Sequence, residues 1–179
     1  MQADDVLHFW FKELTPAQHF AADATLDTLI RQRFAPTWEA ARQCELWTWR
    51  ATPRGRLAEI LVLDQFSRNI HRGTPLAFAQ DALALALAQE LVAGQHDRAL
   101  PAGERAFAYM PYMHSESLAI HDQALLLFNQ PGLENNLQFE VRHRDIVARF
   151  GRYPHRNVVL GRESTPEEIA FLAEPGSSF

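Results

Sequence analysis

Cysteine and lysine are nearly absent from this sequence of 179 residues. The single cysteine, Cys44, excludes an intrachain disulfide and a zinc site built from cysteines. It lies in a helical run rich in Trp and Ala, which predicts a buried and unreactive thiol. Because Lys12 is the only lysine, arginine supplies nearly all of the positive charge. Arginine suits bidentate binding of carboxylate and phosphate, although an Ala- and Arg-rich, GC-rich genome produces the same bias.

Net positive charge and long apolar runs are also missing. The formal net charge of -5 argues against sequence-independent binding of nucleic acid, since such binding requires a basic face. We expect no membrane span, because no segment approaches the apolar length of a bilayer. Asp4 and Asp5 stand where a signal peptide carries positive charge. The sequence therefore predicts a cytoplasmic protein of bacterial type that binds neither nucleic acid nor a membrane.

Signals for β-strands are rare, whereas signals for helix ends recur. There is no Asn-Gly or Asp-Gly hairpin turn, and Thr165 with Glu168 forms a capping box. Pro36 is expected to separate two helices, and Pro111 to kink or split another. We predict an all-α fold of seven to eight helices, near residues 3–13, 24–34, 37–49, 54–71, 75–93, 103–128, 134–150 and 165–173. Short connections favour antiparallel helical hairpins, in a single domain over residues 1–173 with a flexible tail over 174–179.

Charged residues continue an apolar helical face in the segment Arg54–Arg72. Asp64, Arg68 and Arg72 gather on one arc of the predicted helix, and Asp64 can pair directly with Arg68 four residues later. In the next helix Asp81 lies on an apolar stripe, where it is a natural partner for a nearby arginine. These residues form either a buried salt bridge that fixes helix packing or the wall of a polar pocket.

Two histidines two helical turns apart, His114 and His121, lie on one face of the predicted helix over 103–128. They are either core histidines bonded to neighbouring acids or, together with Glu116 and His143, ligands of a divalent metal. No His-Glu-x-x-His motif, Gly-rich phosphate loop or dinucleotide fingerprint is present. We therefore predict neither a metal nor a cofactor.

The stretch from residue 143 to residue 157 is unusually polar. His143 shares a helical stripe with Phe139 and should face the core, whereas Asp145 and Arg149 should form a solvent-exposed pair. Gly151 is expected to end this helix, and Pro154 to stiffen the loop that follows. That loop presents three side chains whose donors suit an anion or, alternatively, cap helix ends; they are His155, Arg156 and Asn157.

Four motifs in order resemble a known family. They read Val6-Leu-x-Phe-Trp-Phe11, Gly55-Arg-Leu-Ala to Leu63-Asp-Gln-Phe-x-Arg-Asn69, Tyr109-Met-Pro-Tyr-Met-His-Ser-Glu116 and His143-Arg-Asp to Pro154-His-Arg-Asn157. They are similar to those of an uncharacterised bacterial family, domain of unknown function 924, from the N-terminus to Leu172. The resemblance implies a tetratricopeptide-like right-handed array of helix pairs, and it implies no catalytic residues. Ser67 stands where the family is expected to have Pro, so whether the helix ends after Phe66 is left open.

Our functional hypothesis is a polar, Arg- and His-lined pocket that binds a small anionic ligand, with hydrolysis or modification of that ligand left open. The candidate ligand contacts are Asp64, Arg68, Arg72, Arg144, His155, Arg156 and Asn157. The candidate acid–base residues are His114, Glu116 and His143. The alternative is a tetratricopeptide-like scaffold that binds a peptide or protein partner in a concave groove without catalysis. The sequence leaves open whether the protein is an enzyme and what its oligomeric state is.

Overall fold

Helices are the only regular structure over residues 1–177, the residues that the computed structural model describes. The longer helices, labelled here in chain order, are α1 (Ala3–His8, continued by a π-helical turn over Phe9–Glu13), α2 (Ala24–Arg42), α3 (Pro53–Leu61, a π-helical turn over Val62–Phe66, then Ser67–Ile70), α4 (Asp81–Ala93), α5 (Ala102–Met113), α6 (Leu118–Phe128), α7 (Glu134–Phe150) and α8 (Pro166–Leu172). Short 3-10 helices cover Gln18–Phe20, Trp47–Ala51, Pro75–Ala77, His96–Ala99 and Pro154–Arg156. The predicted all-α class is confirmed, while the tetratricopeptide-like arrangement stays a prediction.

Capping residues define several helix ends. The Thr165 hydroxyl accepts the Glu168 N–H and the Glu168 carboxylate accepts the Thr165 N–H, which confirms the predicted capping box. At the start of α3, Thr52 caps in the same way by accepting the N–H of Gly55 at 3.0 Å. Gly55 lies so close to the backbone before it that a Cβ there would be 2.0 Å from the Trp49 carbonyl oxygen. Gly151 ends α7 with a φ of +69°, as expected of a helix C-terminus.

Two prolines lie inside helices, and for Pro36 this is contrary to prediction. α2 continues through Pro36, because the side chains before and after it, Phe34 and Trp38, are buried in the core and hold the helix together. Pro111 lies within α5, and the helix predicted over 103–128 is split, as expected, although the split follows Met113, two residues after the proline. His114 therefore ends α5 and does not share one continuous helix with the second histidine of that segment.

The segment after α2 corrects the expectation for the lone cysteine. The helix predicted over 37–49 ends at Arg42. Cys44 adopts a left-handed φ of +59°, which turns the chain away from the helix axis. Its side chain is exposed, so the predicted burial of this thiol is wrong.

α3 is the central helix, as its sequence predicted, and it positions the acidic and basic residues of the site. Leu57 and Leu61 share one face of it, Phe66 follows further along, and all three are fully buried. The helix does not end after Phe66: Ser67 is buried, accepts a hydrogen bond from the Trp38 indole at 2.7 Å and donates one to the Leu63 carbonyl. The π-helical turn over Val62–Phe66 lies directly before it.

One segment, Pro75–Ala93, is apolar and long enough to cross a membrane by length and composition, with a mean hydropathy of 1.4. The expectation that no segment approaches this length was therefore wrong. In the fold, the segment is divided into a 3-10 turn and α4, which has 13 residues. At about 1.5 Å per residue α4 is about 20 Å long, shorter than the roughly 30 Å of a bilayer core.

Ser177, the last residue that the structure describes, is hydrogen-bonded to α8. The Ser177 hydroxyl is buried and donates a hydrogen bond of 3.1 Å to the Leu172 carbonyl. Residues 178 and 179 of the predicted flexible tail lie outside the described residues. The single-domain boundary at residue 173 stays a prediction.

Candidate functional site

Charged and imidazole side chains from four parts of the chain meet where α3 and α4 approach the connection from α5 to α6 and the loop after α7. These side chains, called the polar cluster below, are Asp64, Arg68, Asp81, His114, Glu116, Arg156 and Arg162. Asp64 lies in the π-helical turn of α3, an element that is frequent at functional sites. The cluster contains five of the ten candidate residues predicted from the sequence, and the other five candidates are described below.

A carboxylate joins two arginines in this cluster. Arg68 binds both oxygens of Asp81, with N···O distances of 2.9 and 3.0 Å, and Arg156 Nη1 donates to the same carboxylate at 3.1 Å. The predicted pair of Asp64 with Arg68 is also present, at 3.3 Å. Asp81 therefore has the arginine partner that the sequence predicted, together with a second one.

Asp64 and His114 are in direct contact within the cluster. Asp64 is buried; one of its oxygens lies 2.7 Å from His114 Nδ1 and the other accepts a 2.6 Å hydrogen bond from Gln65. Burial alone would raise the pKa of Asp64, but the contact with His114, the charge of Arg68 and the hydrogen bond from Gln65 lower it well below its usual range. Burial and the charge of Arg68 lower the pKa of His114, so the imidazole is neutral at pH 7 and Asp64 is ionised.

The second imidazole nitrogen of His114, Nε2, is not bound by a neighbouring group of the described residues. His114 Nε2 has no hydrogen-bond partner within residues 1–177, and the side chain is 15% exposed. Because Nδ1 faces an ionised carboxylate, Nδ1 carries the proton and Nε2 carries the lone pair. The predicted interpretation of His114 as a histidine bonded to a neighbouring acid is thus confirmed, in a geometry that also suits a base.

Arg156 is buried, with only 7% of its side chain exposed. Its guanidinium contacts the rings of Phe78 and Tyr153, 4.5 and 4.8 Å from their centroids, and its Nη2 donates to the His114 carbonyl at 3.0 Å. Its Nε is buried without an acceptor among the residues that the structure describes, which costs about 1–3 kcal/mol. Burial and the nearby Arg68 charge lower the pKa of this group.

Glu116 fixes the loop after α7 and has no free oxygen for proton transfer. Arg162 binds both of its carboxylate oxygens, at 2.7 and 2.9 Å, and the Tyr153 N–H donates to it at 2.7 Å. Burial would raise the pKa of Glu116, but these hydrogen bonds and the Arg162 charge lower it. Sequence reasoning missed Arg162 and Tyr153, because their partners lie 46 and 37 residues away and leave no local pattern.

The loop that was expected to present three side chains is packed inward instead. Arg156 and Asn157 are buried, and Pro154–Arg156 forms a 3-10 turn. Asn157 Nδ2 donates to Ser164 at 3.0 Å and its oxygen accepts from Arg162 at 2.9 Å, so its amide orders the loop. His155 is half-buried, and burial together with the Arg156 charge lowers its pKa to about 4. The expectation that this loop presents all three side chains was wrong, because Asn157 and the Nη atoms of Arg156 have acceptors within the chain.

His143 faces the core as predicted. Its Nδ1 lies 2.7 Å from the Phe139 carbonyl, and burial lowers its pKa to about 3. Phe139 itself is 52% exposed, so the predicted stripe is shifted; the buried face of α7 carries Glu140, His143, Ile146 and Val147.

The second histidine of the α5–α6 segment confirms the core interpretation. His121 is buried, and its Nδ1 lies 2.6 Å from the buried Glu140 carboxyl while Nε2 faces the Ser115 carbonyl at 2.8 Å. Within residues 1–177 no group of three or more His, Cys, Asp or Glu side chains is arranged to hold a metal ion.

Two predicted ligand contacts lie away from the polar cluster. Arg72 binds Asp27, with an Nε···Oδ2 distance of 2.6 Å, near the end of α3. Arg144 pairs with the half-exposed Asp122 at 2.9 Å. The predicted surface pair over residues 145 and 149 is replaced by an ion pair of Arg149 with a residue of α8, at 3.2 Å.

Two surface depressions lie elsewhere. One of about 500 Å³ is lined by residues of α2 between Ala24 and Gln32, and one of about 230 Å³ by residues between Phe128 and Leu137. Neither includes a residue of the polar cluster, which reaches solvent through side chains that are only partly exposed. Arg68 and Asp81 are 18% exposed and His114 is 15% exposed.

Comparison with known proteins bears on these motifs. The family model described as "Bacterial protein of unknown function (DUF924)" matches residues 6–176. A solved structure of a protein of unknown function from Agrobacterium tumefaciens is similar, with 42% sequence identity, a TM-score of 0.90 and coverage of 96% of both chains. No curated protein matches the chain. The family resemblance seen in the sequence is confirmed, and it brings no known activity with it.

Proposed function

We propose that this chain, which belongs to the DUF924 family, binds a small anionic ligand at the polar cluster and presents His114 to that ligand as a base. Arg156 and Arg68 supply the positive charge in this proposal, and Asp64 orients the imidazole. The other charged members, Glu116 and Arg162, hold the loop that carries Arg156 in place.

The observation that carries the proposal is the contact between Asp64 and His114 beside two arginines. A buried carboxylate at 2.7 Å from Nδ1 fixes both the tautomer and the orientation of the ring. The lone pair of Nε2 then lies in the same cluster as Arg156, whose buried Nε lacks an acceptor. A neutral imidazole with a free lone pair beside arginine N–H donors is an arrangement that suits general base catalysis on a bound anion, and such a base contributes about 10²–10⁴-fold to a rate.

Proton transfer is the chemical step within reach of this site. His114 Nε2 would take a proton either from the bound anion or from a water beside it, and the Asp64 carboxylate would stabilise the imidazolium that forms. Hydrolysis and proton abstraction share this first step. The proposal therefore specifies the base and the charge of the ligand. It does not specify which bond of the ligand is broken.

The scaffold hypothesis requires exposed aromatic side chains that converge in one groove. The exposed aromatic residues Phe20, Trp47 and Phe139 lie on three separate segments of the described chain. Since scattered exposed apolar residues are common on protein surfaces, they support the scaffold less than the polar cluster supports an anion site. For the compartment we propose the cytoplasm, in keeping with a chain whose one cysteine is a free thiol.

The experiment is a thermal-shift screen of small anions, including acetate, benzoate, phosphate, phenyl phosphate and sulfate. A ligand that binds only the folded state raises the midpoint of unfolding by mass action. At least one anion should raise the midpoint of the wild type and of Arg144→Gln, the matched surface control, and should not raise that of Arg156→Gln. If no anion discriminates between the two variants while a protein partner is captured by both, the scaffold hypothesis is favoured.

A further inference from the structure

We infer that the ligand of the polar cluster is a small carboxylate with a single negative charge and a planar apolar group, rather than a phosphate. This inference rests on the proposed function and names the class of ligand for the same site. Charge balance, the free N–H donors and the aromatic rim of the site each support it.

The charges of the cluster already balance. Asp64, Asp81 and Glu116 supply three negative charges, and Arg68, Arg156 and Arg162 supply three positive ones. Burial lowers the pKa of both His114 and His155, so their imidazoles add no charge at pH 7. A phosphate dianion would leave two uncompensated negative charges in a largely buried site, whereas a carboxylate leaves one.

Both guanidiniums keep free N–H donors. The five hydrogen bonds that they donate to described residues all come from Nη atoms and end on Asp81, the Asp64 carbonyl and the His114 carbonyl. Arg156 Nε is buried without an acceptor, and Arg68 Nε donates no hydrogen bond to residues 1–177. Because a guanidinium carries five N–H groups, donors remain on both arginines, and a carboxylate has two oxygens that can accept one from each. Phosphate sites commonly supply further backbone donors, and the described hydrogen bonds of this cluster include no such set.

Aromatic rings surround these donors. Phe78, which is half-buried, covers the Arg156 guanidinium at 4.5 Å and lies 5.5 Å from that of Arg68. The ring of Tyr153 is fully buried and its centroid lies 4.8 Å from the Arg156 guanidinium, with the centroids of the Tyr153 and His155 rings 5.5 Å apart. Because Phe78 is the partly exposed ring beside both guanidiniums, a ligand that reaches Arg156 would lie against it, which favours a planar apolar group and disfavours a strongly hydrated one.

Asp81 shows that the two arginines together can bind a carboxylate. Its carboxylate is bound by both guanidiniums at once, with N···O distances between 2.9 and 3.1 Å. Bidentate binding of a carboxylate is the preferred geometry of arginine. The site is therefore already shaped around one carboxylate, and a second one of low charge is the ligand it would admit beside the first.

The test is isothermal titration of the full chain with four matched probes: benzoate, phenyl phosphate, acetate and benzamide. We expect benzoate to bind at least tenfold more tightly than each of the others, a difference of about 1.4 kcal/mol. Arg156→Gln should weaken benzoate binding at least tenfold, and Arg144→Gln should leave it unchanged. The ranking of the probes on the wild type needs no variant, so a poorly folded Arg156→Gln would not remove the test.

Each contrary outcome overturns a defined part of the inference or of the proposed function. If phenyl phosphate binds as tightly as benzoate or more tightly, the carboxylate class is wrong while the proposed anion site stands. If acetate equals benzoate, the planar group is wrong. If benzamide equals benzoate, or if no probe binds, both the inference and the proposed function are rejected.

Discussion

Asp64 and His114 lie 50 residues apart in the sequence, yet a 2.7 Å contact joins the Asp64 carboxylate to His114 Nδ1. One residue is held in the π-helical turn of the central helix and the other at the end of α5. The orientation of the imidazole is therefore set by the packing of two helices. The predictions below test this packing, the charges around it and the fold that supports it.

The first prediction concerns the buried acid. Asp64→Asn removes the charge that faces His114 and Arg68, and breaking one partner of a buried pair costs about 3–5 kcal/mol. Urea unfolding should show a loss of this size in the free energy of unfolding. The control is Asp122→Asn, whose pair with Arg144 is at the surface and contributes about 0–1 kcal/mol. Equal losses in the two variants would mean that Asp64 is not electrostatically coupled to the cluster.

The second prediction is chemical rescue. Asp81→Ala leaves Arg68 and Arg156 without the carboxylate that binds both, and it should lower the midpoint of thermal unfolding. Acetate or formate should restore the midpoint in a saturable manner, because a small carboxylate takes the vacant place. Glu167→Ala, which removes the exposed partner of Arg149, should show no rescue. A midpoint that responds equally to acetate and to chloride would contradict this prediction.

The third prediction uses two glycines. Gly55→Ala places a Cβ 2.0 Å from the Trp49 carbonyl oxygen, so the start of the central helix must shift, at a cost of about 1–3 kcal/mol. Gly103 lies in α5 with no atom within 4 Å of the equivalent Cβ, and Gly103→Ala should be neutral or stabilising by up to about 1 kcal/mol. Chemical denaturation of both variants checks the difference in sign.

The fourth prediction is a pH dependence of stability. Burial lowers the pKa of His143 from 6.5 to about 3. Between these values the unfolded chain binds a proton that the folded chain does not, so the free energy of unfolding contributed by this group is present above pH 6.5 and declines as the pH falls toward 3. His143→Gln should flatten that decline, as measured by urea unfolding from pH 7 to pH 4. An unchanged slope would show that His143 is protonated in the folded state.

Local sequence patterns predicted the direction and pairing of side chains within a helix. They failed where the position of a side chain depends on partners that are distant in the sequence. The inward direction of His143, the pairing of Asp64 with Arg68 and the arginine partner of Asp81 followed from helical periodicity and residue type. The inward packing of Arg156 did not, because its acceptors lie 75 and 42 residues away.

The ends of helices were likewise predicted wrongly where packing outweighs the local sequence. Pro36 was expected to end a helix from its missing N–H alone, but the buried side chains beside it keep α2 continuous. A break was expected at Pro111, but its position after Met113 has no strong local signal, since that proline lies inside α5. Cys44 was expected to be buried from its neighbours in sequence, and the left-handed turn at that residue exposes it.

The central claim is that an anion binds beside Arg156 within reach of His114. The most direct measurement follows the His114 ring resonances of ¹³C,¹⁵N-labelled protein by NMR during a titration with benzoate, using the exposed His8 as the internal reference. We predict a saturable shift of the His114 signals that is absent in Arg156→Gln and retained in Arg144→Gln. His114 signals that move no more than those of His8, or that move equally in Arg156→Gln, would contradict the account.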